Sequence, residues 1–127
     1  MTGPVWEKTM RYLLMFYADE DAWMALPEDE RNAAIGRIGR WFGEQAAAGR
    51  IVEGKRLAGG KRATATVRLG RVQRSGDAPV VTDGPFVEAK ESVGSYAVVE
   101  VQDRDEAIAV AKTWPAGGLV EVRPVDE

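Results

Sequence analysis

The 127-residue chain contains neither cysteine nor histidine. Without cysteine there are no disulfides, thiol nucleophiles or thiolate metal cages, and without histidine no imidazole can hold zinc or haem. The side chain that most often moves protons near neutral pH is also missing, so acid–base chemistry falls to Asp, Glu, Lys or Tyr. No apolar run approaches the ~20 residues needed to span a bilayer, and the first residues lack the basic-then-apolar pattern of a secretory signal. A cytoplasmic address with no membrane partner is therefore expected. Positive charge is not in excess either: the net charge is −3, which gives the whole molecule no attraction for nucleic acid. With 45% hydrophobic and 29% charged residues, the composition is that of a folded chain long enough for one core. One domain over residues 1–127 is expected, with 1–9 a loose N-terminal extension.

What charge there is lies unevenly. Arg50, Lys55, Arg56, Lys61, Arg62, Arg68, Arg71 and Arg74 face the single acid Glu53, whereas Asp19, Glu20, Asp21, Glu28, Asp29 and Glu30 face no base. These blocks read as oppositely charged solvated surfaces, as a basic rim for an anionic ligand, or as complementary patches across a dimer. The basic stretch carries no interleaved aromatic residue on which bases would stack, so nucleic-acid binding is not expected. The adjacent acids Asp19, Glu20 and Asp21 do not point at a common centre, and no metal site or cofactor is expected.

The segment MRYLLMFYA (10–18) is too short for a helix of its own and reads as a buried central strand. Residues 27–49 form a helix: Pro27 suits a first position, three acids follow it, and Ile35, Ile38, Trp41, Phe42 and Ala46 recur at helical spacing before Gly49. Its three internal glycines, Gly36, Gly39 and Gly43, suggest a face lying close to the sheet or another helix, or mere compositional drift. A short strand follows at 50–57, and the stretches around Ser75-Gly76-Asp77 read as a hairpin. SVGSYAVVEV (92–101) is a second central strand. Asp103, three residues ahead of Glu106, opens a second helix, with Ala107, Ile108, Ala111 and Trp114 on one face; LVEVRPV closes the chain as a strand. The order β-α-β, hairpin, β-α-β predicts an α+β, ferredoxin-like split βαβ sheet with an inserted β-hairpin. Both helices would cover one face, and the bare apolar face predicts a homodimer with facing sheets. Trp41 and Trp114 are then core residues, whereas Trp23, beside an acidic loop, is placed at a pocket rim.

The knot Asp83-Gly84-Pro85-Phe86 is not a simple hairpin turn. Gly84 precedes proline, which favours extended geometry there. Asp83 cannot close the usual Asx-turn, because Pro85 has no N–H to donate. Its carboxylate is left for Phe86 N–H, a basic residue or water, either as a pin at the strand's end or as a site group. If the next residues are extended, Glu88 and Lys90 share a face; if they turn helically, Glu88 meets Glu91.

Asp83-Gly84-Pro85-Phe86, followed by Glu88, Lys90, Glu91, Gly94 and Tyr96, resembles the signature of the DGPF-domain proteins within the YCII-related family. Tyr17, Glu20, Trp23 and the closing EVRPV (121–125) extend the resemblance over nearly the whole chain. It implies a small bacterial cytoplasmic domain with a dimeric α+β-barrel fold. Functionally it implies either a dehydrochlorinase-like enzyme acting on hydroxylated aromatic rings or an accessory to sigma-factor-like regulators. The His–Asp pair of some branches cannot be carried over, for want of a histidine. Ser95 stands where the family tends to glycine, and Leu26 where it tends to serine. The expected activity is binding of a small anionic or hydroxyaromatic metabolite in a pocket near Asp83. The alternatives are a cofactor-independent lyase or isomerase and a regulatory partner. Candidate catalytic groups are Asp83, Glu88 and Glu91; candidate binding groups are Tyr17, Trp23, Lys90, Tyr96 and Arg123, the last as a clamp for a carboxylate.

Overall fold

A computed structural model describes residues 8–70, 78–86 and 91–127. Two long strands, β1 (Met10–Asp19) and β5 (Glu91–Val101), pair antiparallel at the centre of a four-stranded sheet. β2 (Ile51–Arg56) flanks β5, and β6 (Leu119–Pro124) flanks β1, so the order is β2-β5-β1-β6 with every neighbour antiparallel. A second, two-stranded ribbon joins β3 (Ala65–Arg68) to β4 (Val80–Asp83); the residues of its expected turn lie outside those described. This α+β arrangement of antiparallel sheet and helices is consistent with the ferredoxin-like class.

Period-2 alternation explains the central strands. Tyr12, Leu14 and Phe16 of β1 and Ala97, Val99 and Val101 of β5 are buried, and the residues between them are partly or fully exposed. The buried set forms one cluster with Trp41 of α2 (Glu28–Ala47) and with Ala107, Val110 and Ala111 of α3 (Arg104–Ala111). Leu14, Val99 and Val101 are fully enclosed, each contributing ~1.5–3 kcal/mol by removal from water. Trp41 fixes the two helices together: its indole Nε1 donates to Thr113 Oγ1 at 2.8 Å, and that hydroxyl donates to Val110 O at 2.6 Å. Asp103 caps α3 as its spacing predicts, accepting from Glu106 N–H at 2.9 Å.

Three sequence expectations change. Residues 20–25 are not a loop but a short helix, α1 (Glu20–Ala25), because Asp19 Oδ1 accepts from Ala22 N–H and acids fill the first turn. Pro27 precedes α2 rather than opening it, and Arg31 secures that junction by donating to the carbonyls of Met24 and Leu26. Gly36, Gly39 and Gly43 do not mark close packing: a Cβ at any of them would meet nothing within 4 Å, and all three face outward. The close approach lies instead at Gly54 of β2, where a Cβ would fall 2.6 Å from the Phe42 ring and 2.9 Å from Tyr96 O.

One irregularity matters for the site. The β1–β5 register shifts between Phe16, which faces Ser95, and Tyr17, which faces Val93, leaving Gly94 as an extra residue in β5.

Candidate functional site

The sheet face that carries the helices does not fill completely. Where β1 runs into α1, a cavity of about 600 Å³ opens, within the usual size of small-ligand sites. Its floor is the sheet: Phe16 of β1, Ser95 of β5 and Arg56 at the end of β2. Trp114, past the end of α3, stacks on Phe16 with ring centroids 3.7 Å apart and an interplanar angle of 16°. Trp23 and Met24 of α1 and Ile38 of α2 supply further apolar wall, and Arg62 stands on the loop that follows β2. Neither guanidinium has a hydrogen-bond or ion-pair partner among the described residues.

The loop wall is held by an acid. Glu20 Oε2 accepts from Lys61 N–H at 2.8 Å, at the start of the 3₁₀ turn Gly60–Ala63. The neighbouring residue must be glycine: Gly60 has φ +57°, and a Cβ there would sit 2.5 Å from the Glu20 carboxylate. Glu20 thus acts on the loop that presents Arg62.

The sequence candidates do not gather in one place. Trp23 lines the cavity, whereas Tyr17 only borders it where β1 ends and turns its phenol to Glu121 on the opposite face of the sheet. Tyr96 and Arg123 lie on the opposite face of the sheet: Tyr96 faces Met15 across β1–β5, and Arg123 faces Leu13 across β1–β6. There the Tyr96 hydroxyl donates to Glu53 Oε1 at 2.6 Å, a bond to a carboxylate that raises the phenol above its ordinary pKa. Tyr17 shifts the same way, first through its hydrogen bond with Glu121 and then through burial and that carboxylate's charge. Asp83 ends β4 in an exposed position opposite Ala65 and is not a cavity wall. The knot after it closes the ribbon: Gly84 N–H donates to Thr64 O at 2.6 Å, and Thr66 Oγ1 donates to Gly84 O at 2.7 Å. Gly84 takes φ +93°, a conformation open to a residue without Cβ. Glu91 opens β5 opposite Asp19, and its Oε2 is shielded from solvent with no hydrogen-bond partner among the described residues. Glu88 and Lys90 lie outside the described residues. Among those described, no three carboxylates gather as a metal cage, and no helix is long and apolar enough to cross a membrane.

The family model described as the YCII-related domain matches residues 10–127, from the first residue of β1 to the end of the chain. The chain belongs to the YCII-related family. It is 27% identical over 120 residues to an uncharacterized protein of Rhizobium meliloti (strain 1021), covering 91% of this chain and 92% of that one.

In this YCII-related domain the residues that sequence reasoning missed are Arg56, Arg62 and Ser95, together with the wall role of Phe16 and Trp114. Arg56 and Arg62 did carry a signal, the basic stretch read as a possible rim for an anion. Ser95 stood out only as a departure from the family's glycine. Nothing in the linear chain says that residues 16, 56 and 95 share one floor; the strand register does.

Proposed function

We propose that this YCII-related domain binds a small anionic or hydroxyaromatic metabolite in the cavity between the sheet, α1 and the loop after β2, and works as a homodimer through the opposite sheet face. The observation that carries the binding reading is the pairing of aromatic walls with two unpartnered guanidinium groups, Arg56 and Arg62, in one space of ligand size. Aromatic rings remove an apolar body from water, and a planar fork matches a carboxylate or phosphate with two parallel hydrogen bonds. Asp83 lies beyond the wall loop rather than among the walls, a position that favours binding over proton transfer by that carboxylate.

The dimer draws its support from the other face. Leu13, Met15 and Val98 form a partly exposed apolar centre, bordered by the Tyr96–Glu53 hydrogen bond and the Arg11–Glu100 ion pair at 3.4 Å. A sheet of this kind buries its second apolar face by packing against another layer.

Calorimetric titration with hydroxybenzoates, aryl acids and neutral phenols tests the binding reading. Saturable binding of an anionic or hydroxyaromatic compound is expected, weakened at least about 10-fold by the double substitution Arg56→Gln/Arg62→Gln. Failure of the whole panel to bind, or equal binding to the double variant and to wild type, would overturn it.

A further inference from the structure

The cavity floor has an order. β2 pairs with β5 so that Arg56 faces Ser95, and β5 pairs with β1 so that Ser95 faces Phe16. Cross-strand partners share a face, and Phe16 and Ser95 are both buried on the helix side, at 2% and 4% exposure. All three residues line the cavity. Read across the sheet, the sequence of groups is guanidinium, hydroxyl, aromatic ring. With neighbouring strands ~4.8 Å apart, the row spans roughly 10 Å between its outer Cα atoms.

The middle group decides the ligand. Ser95 is a polar side chain in a row otherwise filled by Ala97, Val99 and Val101, and its hydroxyl has no hydrogen-bond partner among the described residues. That hydroxyl is not sealed from solvent, so it opens to the cavity, where a ligand oxygen can replace water as its partner. Its position, between the cation and the rings, asks for an oxygen between an anionic group and an aromatic body. The outer end of the row is completed by the Phe16–Trp114 stack and by Trp23.

Resting on the reading that the cavity takes a small anionic or aromatic metabolite, we propose that its ligand is an aryl 2-hydroxy or 2-oxo acid: the carboxylate on Arg56, the 2-oxygen on Ser95 and the ring against Phe16, Trp114 and Trp23. Ser95 is then the specificity-determining residue and Arg56 the anchor. Arg62, on the loop pinned by Glu20, stands near enough to the same cavity to share the negative charge.

Four probes test the row: 3-phenyllactate, which carries all three groups, and three compounds that each lack one, namely 3-phenylpropionate without the hydroxyl, lactate without the ring, and 1-phenyl-2-propanol without the carboxylate. Wild-type protein should bind 3-phenyllactate most tightly and lose about 10-fold on removal of the hydroxyl. In Ser95→Ala that discrimination should vanish while affinity for 3-phenylpropionate is kept. Arg56→Gln should weaken both aryl acids about 10- to 100-fold and leave 1-phenyl-2-propanol unchanged. Arg56 is an exposed strand-end residue, so this variant should keep the wild-type melting temperature and report on binding alone. Discrimination that survives Ser95→Ala, or acid binding indifferent to Arg56→Gln, overturns the row; if Trp23→Leu still abolishes binding, the cavity reading stands. Wild-type protein that binds none of the four overturns the row as well. In that case the broader panel of aromatic acids decides separately whether the cavity binds at all.

Discussion

Two phenols in this molecule are governed by carboxylates, and both consequences can be read by titration. The Glu121 bond raises the Tyr17 pKa above 10, and the Glu53 bond does the same for Tyr96. A phenol whose pKa rises on folding adds stability that is fully present below its unfolded value and is lost as pH climbs through the folded value. Stability should therefore fall above about pH 10, and ultraviolet titration should show Tyr17 ionising later than a free phenol. Glu121→Gln should bring it back toward 10; an unchanged midpoint would remove the hydrogen bond as the cause. Gly60 carries a second residue-scale consequence. Gly60→Ala forces a Cβ onto the Glu20 carboxylate in a conformation L-residues resist, so the Lys61 N–H bond should break and Arg62 should lose its place. Weaker binding of aryl acids with the melting temperature lowered by only a few degrees is the expected result; unchanged affinity would mean that Glu20 does not position the loop. None of this pairing was visible in sequence. Glu20 and Lys61 are far apart along the chain, and the acid block around Glu20 looked like solvated surface.

At the scale of elements, the glycines of α2 and β2 make opposite forecasts. Gly36, Gly39 and Gly43 have open space where a side chain would go, so each Gly→Ala should stabilise the protein by about 0.5–1 kcal/mol through helix propensity. Gly54→Ala should destabilise it, because Phe42 and the β5 backbone already occupy the site. Thermal melts of the four single variants decide between these signs. The central strands and both long helices were legible because alternation and 3.6-residue spacing are local properties that tertiary contacts here reinforce. α1 was not legible: six residues with no buried member leave no apolar stripe to detect, and its cap, Asp19, is also the last residue of β1. The role of the α2 glycines was ambiguous for a different reason. A glycine in a helix records that no side chain is needed, and only the neighbours tell whether one is forbidden. For the candidate site the same logic applies. Tyr17 and Trp23 were found because they sit next to the turn from strand to helix. Arg56 and Ser95 required the pairing of β2 with β5, which loop lengths and composition do not specify.

For the whole molecule, the open sheet face makes a prediction about assembly. Met15 lies at its centre, between Tyr96 and Glu121 across the two neighbouring strands. A dimer through this face would bury that position, so Met15→Glu should yield a monomer by light scattering while the folded spectrum is kept. A wild-type monomer, or a Met15→Glu dimer, would show that the face is not the interface. Because the cavity lies on the other side of the sheet, aryl-acid affinity should change little in the monomer.

The extra residue at Gly94 has a consequence best put as one of phase. Counting back along β5 from Val101, strict alternation would turn Val93 toward the helices, and Ser92 away from them. The inserted residue shifts the count by half a period, so that Val93 follows Tyr17 and Ser92 follows Ala18 at the cavity's edge. The strand therefore behaves like two segments written in different frames, one matched to the core and one to the site. A chain of the same fold without that residue would carry the same letters there, yet present the opposite set to its ligand.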